Sequence, residues 1–127
     1  MPSWKYESFF YTVFLPHIGS TYRIIGDKAN RAVAGLSMGG GGATGYGQKH
    51  PDLFSSVYAI SALMTIPEHG AAQPRKEGDK LAILTQSVKD NSCVRFVEEA
   101  DEARKAQLRT VKWFVDCGDD DLLLDRK

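Results

Sequence analysis

Gly35-Leu36-Ser37-Met38-Gly39 forms a G-x-S-x-G pentapeptide. A serine hydroxyl attacks a carbonyl carbon efficiently only when it is exposed, and when donors stand ready for the oxyanion that forms. This pattern can supply both needs. A serine held in a strained turn draws the residues two before and two after it close together, so Gly35 and Gly39 are expected to relieve that crowding. Ser37 would then project from the turn. The backbone N–H of Met38, at the start of the next element, would face the oxyanion. The pentapeptide alone arises by chance in roughly a few per cent of chains of this length, so its placement carries weight. It lies between a short apolar run, Arg31 to Leu36, and a small-residue segment that ends before HPDLF. The bland alternative for Ser37 is a helix N-cap.

The remaining reactive side chains are scattered. His17, His50 and His69 lie far apart, and no pair of Cys or His residues has metal-ligand spacing. Neither a metal nor a cofactor is expected. Cys93 and Cys117 each sit in an apolar run, which favours two buried free thiols over a bridge. Taken alone, Asp119, Asp120 and Asp121 read as a solvated strand-end turn.

Sixteen basic and sixteen acidic residues cancel over 127 positions, so no net field draws the chain to nucleic acid or to anionic membranes. Hydrophobic residues make up 43% and charged residues 25%, as in a soluble globular domain. The apolar stretch from Val57 to Ile66 is too short to span a bilayer. The opening MPSWKYE lacks the apolar core of a signal peptide. Were the parent protein secreted or periplasmic, its signal would lie outside these residues.

The elements that must hold Ser37 follow from periodicity. Phe9, Phe10, Val13, Phe14 and Ile18 mark one face of a helix from Tyr6 to Ile18, with Pro16 kinking or splitting it. A turn follows at Asp27 to Asn30. Arg31 to Leu36 reads as a buried parallel strand. Ser37 to His50 holds six glycines, each unfavourable in a helix by up to about 1 kcal/mol. The entering strand and the exiting Pro51 still predict a helix, made glycine-rich by crowding against a sheet. Leu53 to Leu63 is the next strand. Thr65 to Ser92 is a polar connection in which Leu81, Leu84 and Val88 could line a short helix. From Cys93 to Leu108 the pattern predicts one helix, with Val94, Val97, Ala100 and Leu108 inward and an Asp101–Lys105 pair. Val111 to Val115 is the last strand. This is α/β rhythm.

RAVAGLSMGGGGATGYG, HPDLFSSVYAISA, FLPHIGSTYRI and CGDDDLL together resemble the esterase D family of α/β-hydrolases. That family includes feruloyl esterases, carbohydrate esterases, S-formylglutathione hydrolases and mycolyltransferases. The glycine run looks most like the feruloyl and xylan-ester branch. The resemblance implies that Ser37 is the nucleophile and Met38 the oxyanion-hole amide. It makes Asp121 the triad acid, with Asp119 or Asp120 as alternatives, and His50 a packing residue.

In such a triad the histidine follows the acid, and no histidine follows Asp121 here. Of the three present, only His69 has loop freedom to reach Ser37. The resemblance therefore implies that residues 1–127 are the central part of one catalytic domain, lacking its first strands and its histidine segment, with 65–92 a variable insertion. The expected fold is a partial α/β-hydrolase: the nucleophile strand and the two after it, parallel and flanked by helices. An open first edge would invite self-association. The implied substrates are feruloyl or acetyl esters of plant polysaccharide, or related small esters. A thioesterase of the S-formylglutathione type, an acyltransferase, and a non-catalytic assembly element are the alternatives.

Overall fold

A computed structural model describes residues 5–64 and 80–119. Three parallel strands, β1 (Ala32–Leu36), β2 (Ser56–Ile60) and β3 (Lys112–Asp116), lie side by side in chain order. Val33, Val57 and Trp113 share one level of the sheet, and Gly35, Ala59 and Val115 the next level on the same face. Onto that face packs α3 (Met38–Lys49), burying Gly40, Ala43, Thr44, Gly47 and Gln48. Val57 (1% exposed), Ala43 and Val111 form the core, with Val33 and Trp113 against it.

Crowding accounts for part of the glycine content of α3. A Cβ on Gly47 would lie 2.4 Å from Val57 Cγ2, one on Gly40 2.7 Å from Ala62 Cβ, and one on Gly41 2.1 Å from Leu63 O. Gly45 faces open space instead. Gly45→Ala is accordingly expected to stabilise the chain by about 0.5–1 kcal/mol, read as a rise in urea midpoint.

The opposite face of the sheet differs from expectation. Arg31 to Leu36 reads as a buried strand, yet Ala32, Ala34 and Leu36 are exposed, with Leu36 at 65%. Tyr58 and Phe114, in edge-to-face contact beside them, are exposed as well. The reason is that α3 covers one face only. Among the described residues no strand pairs with the outer edge of β1. This edge and face are expected to drive association. Sedimentation velocity should show dimers or larger species, and a monomer with a sharp melt would contradict this.

The N-terminal helical segment runs as α1 (Tyr6–Phe9), a π-turn (Phe10–Phe14) and α2 (Leu15–Thr21). The π-turn, where Leu15 N–H bonds Phe10 O, comes just before Pro16. A proline ring clashes with the carbonyl four residues back, and the widened turn makes room for it. Phe10 and Tyr11 pack on Tyr46 of α3, and Lys49 pairs with Glu7 at 2.7 Å. Tyr11 Oη is buried without a hydrogen-bond partner, and burial raises its pKa above the usual phenol value. Tyr11→Phe removes that unpaired group, so it is expected to leave stability unchanged or raise it by up to about 1 kcal/mol in thermal unfolding.

After β2 come α4 (Lys80–Asp90), α5 (Cys93–Glu98) and α6 (Glu102–Leu108). The single helix expected over Cys93 to Leu108 is broken at Glu99 to Asp101. There Asp101 caps α6 by accepting from Arg104 N–H at 2.7 Å. A capping aspartate competes with helix continuation. Lys105 consequently pairs with Glu102, not Asp101. Leu108 is buried, but Val94 and Val97 are exposed and line an apolar groove of about 500 Å³ with Trp113 and Val115. Strand β2 is shorter than the apolar run, because Pro51 to Leu53 form a turn and Phe54 is buried ahead of the strand. Among the described residues, no helix is long and apolar enough to cross a membrane.

Candidate active site

Parallel strands leave their C-terminal ends together, and three successive tips meet at that edge of the sheet. The first tip carries Ser37. It has φ 56° and ψ −120°, one of two non-glycine residues with positive φ among those described; the other is Ser61, after β2. L-residues enter that region only at a cost of about 1–3 kcal/mol, which the surroundings must impose. Here they do so through hydrogen bonds. Ser37 N–H donates to Ile60 O at 2.9 Å, and Ser37 O accepts from Leu63 N–H at 3.0 Å and from Gly40 and Gly41 N–H at 3.0 and 3.2 Å.

The glycines of the pentapeptide divide unevenly. A Cβ on Gly35 would lie 2.0 Å from Gly39 O and 2.3 Å from Gly39 C, so nothing larger than glycine fits while α3 starts where it does. A Cβ on Gly39 would meet nothing within 4 Å. The expectation that both relieve crowding is corrected: Gly35 does so, and Gly39 contributes the backbone that Gly35 must clear.

Ser37 is exposed, and its hydroxyl makes no cap hydrogen bond to α3. The helix-cap reading therefore fails on geometry. Met38 is the first residue of α3, so its N–H has no acceptor within the helix, and no other described group takes it. A free hydroxyl and a free amide thus stand on adjacent residues of a strand-to-helix turn. From Met38 a cleft of about 370 Å³ runs along α3 past Gly41, Leu63, Met64 and Phe96.

The tip of β3 supplies carboxylates, and that of β2 carries Ser61. Tyr58 Oη donates a short hydrogen bond to Asp116 at the end of β3, and that bond raises the Tyr58 pKa. Ser61 N–H donates to Asp116 O at 2.9 Å. Asp119 is exposed three residues on, whereas Asp120 and Asp121 lie outside the described residues. His69 lies outside them too. His50 lies against Tyr11 with ring centroids 3.9 Å apart and planes tilted by 42°, at the far end of α3 from Ser37, while His17 is exposed in α2. Neither hydrogen-bonds Ser37.

Cys93 and Cys117 form no disulfide, and only Cys93 is buried. Cys117 is exposed, because it falls beyond the last residue of β3 where α3 gives no cover. Burial pushes the Cys93 thiol pKa up, so it stays protonated near neutrality, the weakly nucleophilic form of a cysteine. No group of three or more His, Cys, Asp or Glu residues among those described could hold a metal ion. Residue types gave no hint of Ser61 and Leu63, whose parts are played by backbone atoms.

A parallel sheet in chain order, with a serine at positive φ between strand and glycine-rich helix, is the core of an α/β-hydrolase fold. The chain belongs to the esterase family described as "Putative esterase", whose sequence profile matches residues 2–122. It is 67% identical to a solved "ferulic acid esterase" with a TM-score of 0.87, covering 99% of this chain and 47% of that one. Two Staphylococcus aureus structures share the fold at lower identity. The fluorophosphonate-binding serine hydrolase FphF is 17% identical with a TM-score of 0.64, over 89% of this chain and 44% of its own. The S-formylglutathione hydrolase FrmB is 15% identical with a TM-score of 0.54, over 90% and 43%. The chain spans about half the length of the structures it matches. The family it belongs to is one of esterases.

Proposed function

We propose that this chain carries the nucleophile of a serine carboxylesterase that hydrolyses feruloyl or acetyl esters of plant polysaccharide or related small esters. Ser37 Oγ bonds to the ester carbonyl carbon and yields its proton to a histidine base. Met38 N–H donates to the oxyanion, and Asp121 orients the base. Collapse breaks the bond to the alcohol, which leaves with the proton. Water then releases the acid from acyl-Ser37 by the same steps in reverse. The observation that carries this reading is the exposed, unbonded Ser37 hydroxyl at φ 56° beside the Met38 amide. The feruloyl choice draws support from the 67% identical ferulic acid esterase.

A second reading, a non-catalytic assembly element, is favoured by one fact: no described histidine bonds Ser37. Turnover by the 127-residue chain alone is expected to be low for that reason. Assays with methyl ferulate, p-nitrophenyl acetate and S-formylglutathione, using Ser37→Ala as control, separate the readings. Ser37-dependent hydrolysis led by methyl ferulate supports the feruloyl esterase. Preference for the thioester moves the chain to the thioesterase branch. Equal rates for wild type and Ser37→Ala leave the assembly role.

A further inference from the structure

We infer that the segment Leu63–Met64, tethered to the start of α5, aims the Met38 N–H at the reacting oxyanion, which makes Leu63 and Cys93 positioning residues. The inference rests on Ser37 as nucleophile. Ser37 C=O and Met38 N–H are opposite ends of one planar trans peptide, so whatever fixes the carbonyl fixes the amide. Three N–H groups converge on that carbonyl. Gly40 and Gly41 belong to α3 itself, but Leu63 comes from the connection after β2.

That connection is pinned at a second point, where Cys93 N–H donates to Met64 O at 2.9 Å. α5 is itself held to α3, since Gln48 Nε2 donates to Cys93 O at 2.9 Å and Cys93 Sγ lies 3.4 Å from Gly41 O. Gly41 completes the bracket, because any side chain there would occupy the place of Leu63 O. The oxyanion amide is thus oriented from outside its own strand and helix.

The bracket can be cut at its far end. Cys93 opens α5, the position where proline is best tolerated, and Ser92 before it already has the extended backbone that proline requires (φ −58°, ψ 119°). Cys93→Pro removes the N–H, while Cys93→Ala removes the thiol and keeps the N–H. Phosphonylation by a fluorophosphonate needs only one attack, so it reports even a slow serine. Cys93→Pro is expected to lower the inactivation rate constant on the order of tenfold with the probe's KI unchanged. Cys93→Ala should retain the rate within about threefold. If folded Cys93→Pro and Cys93→Ala label equally fast, the inference is overturned while the nucleophile stands. If the wild-type chain is not labelled after hours at millimolar probe, both fall. Should Cys93→Pro fail to fold, Gly41→Ala read against Gly42→Ala decides the matter in the same way.

Discussion

Ser37→Ala is expected to reduce ester hydrolysis to the level given by binding and the oxyanion amide alone. In a complete esterase domain the fall in kcat would be on the order of 10⁴–10⁶. Stability should barely change. The hydroxyl bonds nothing in the helix it precedes, and alanine meets the same steric objection to φ 56° as serine. Ser37→Gly carries the idea further, since glycine accepts positive φ freely. It should be equally inactive yet more stable than wild type by about 1 kcal/mol, visible as a higher Tm. A serine kept only for packing would show the reverse: activity unmoved and stability lost.

Gly35→Ala has the second largest expected effect, and it acts on the fold. The added Cβ would fall 2.0 Å from Gly39 O, 2.3 Å from Gly39 C and 2.8 Å from Gly40 N, far inside van der Waals contact. These are backbone atoms in the first turn of α3, so no side-chain rotation relieves the contact. Either β1 and α3 separate or the elbow opens. A loss of about 3 kcal/mol or more is expected, with the urea midpoint falling accordingly and Ser37 reactivity lost with it. Gly39→Ala is the contrast, as its Cβ meets nothing and the backbone of α3 need not shift.

How far these features could be foreseen depended on where the information lay. The strand, elbow and helix around Ser37 were legible because apolar run, motif and proline stop agree on one element order. Gly47 and Gly41 bear out the idea that crowding enriches α3 in glycine, though the open Gly45 shows that crowding is not the only reason. Periodicity told which residues of β1 and α5 share a face but not whether anything covers it, so Leu36, Val94 and Val97 were expected inside and lie outside. The break at Asp101 had a capping signal that the longer apolar rhythm masked. The bracket on Ser37 O could not be read at all, because backbone amides donate alike whatever the side chain. Asp121, expected as the acid, and His69 lie outside the described residues.

The measurement that bears most directly on Ser37 is peptide mapping by mass spectrometry after fluorophosphonate treatment of the chain. A single phosphonyl adduct is predicted on the tryptic peptide Ala32–Lys49, fragmenting to Ser37 and missing from Ser37→Ala. An adduct on Ser61, Tyr58 or any other residue with Ser37 unmodified would contradict the assignment of Ser37 as the nucleophile.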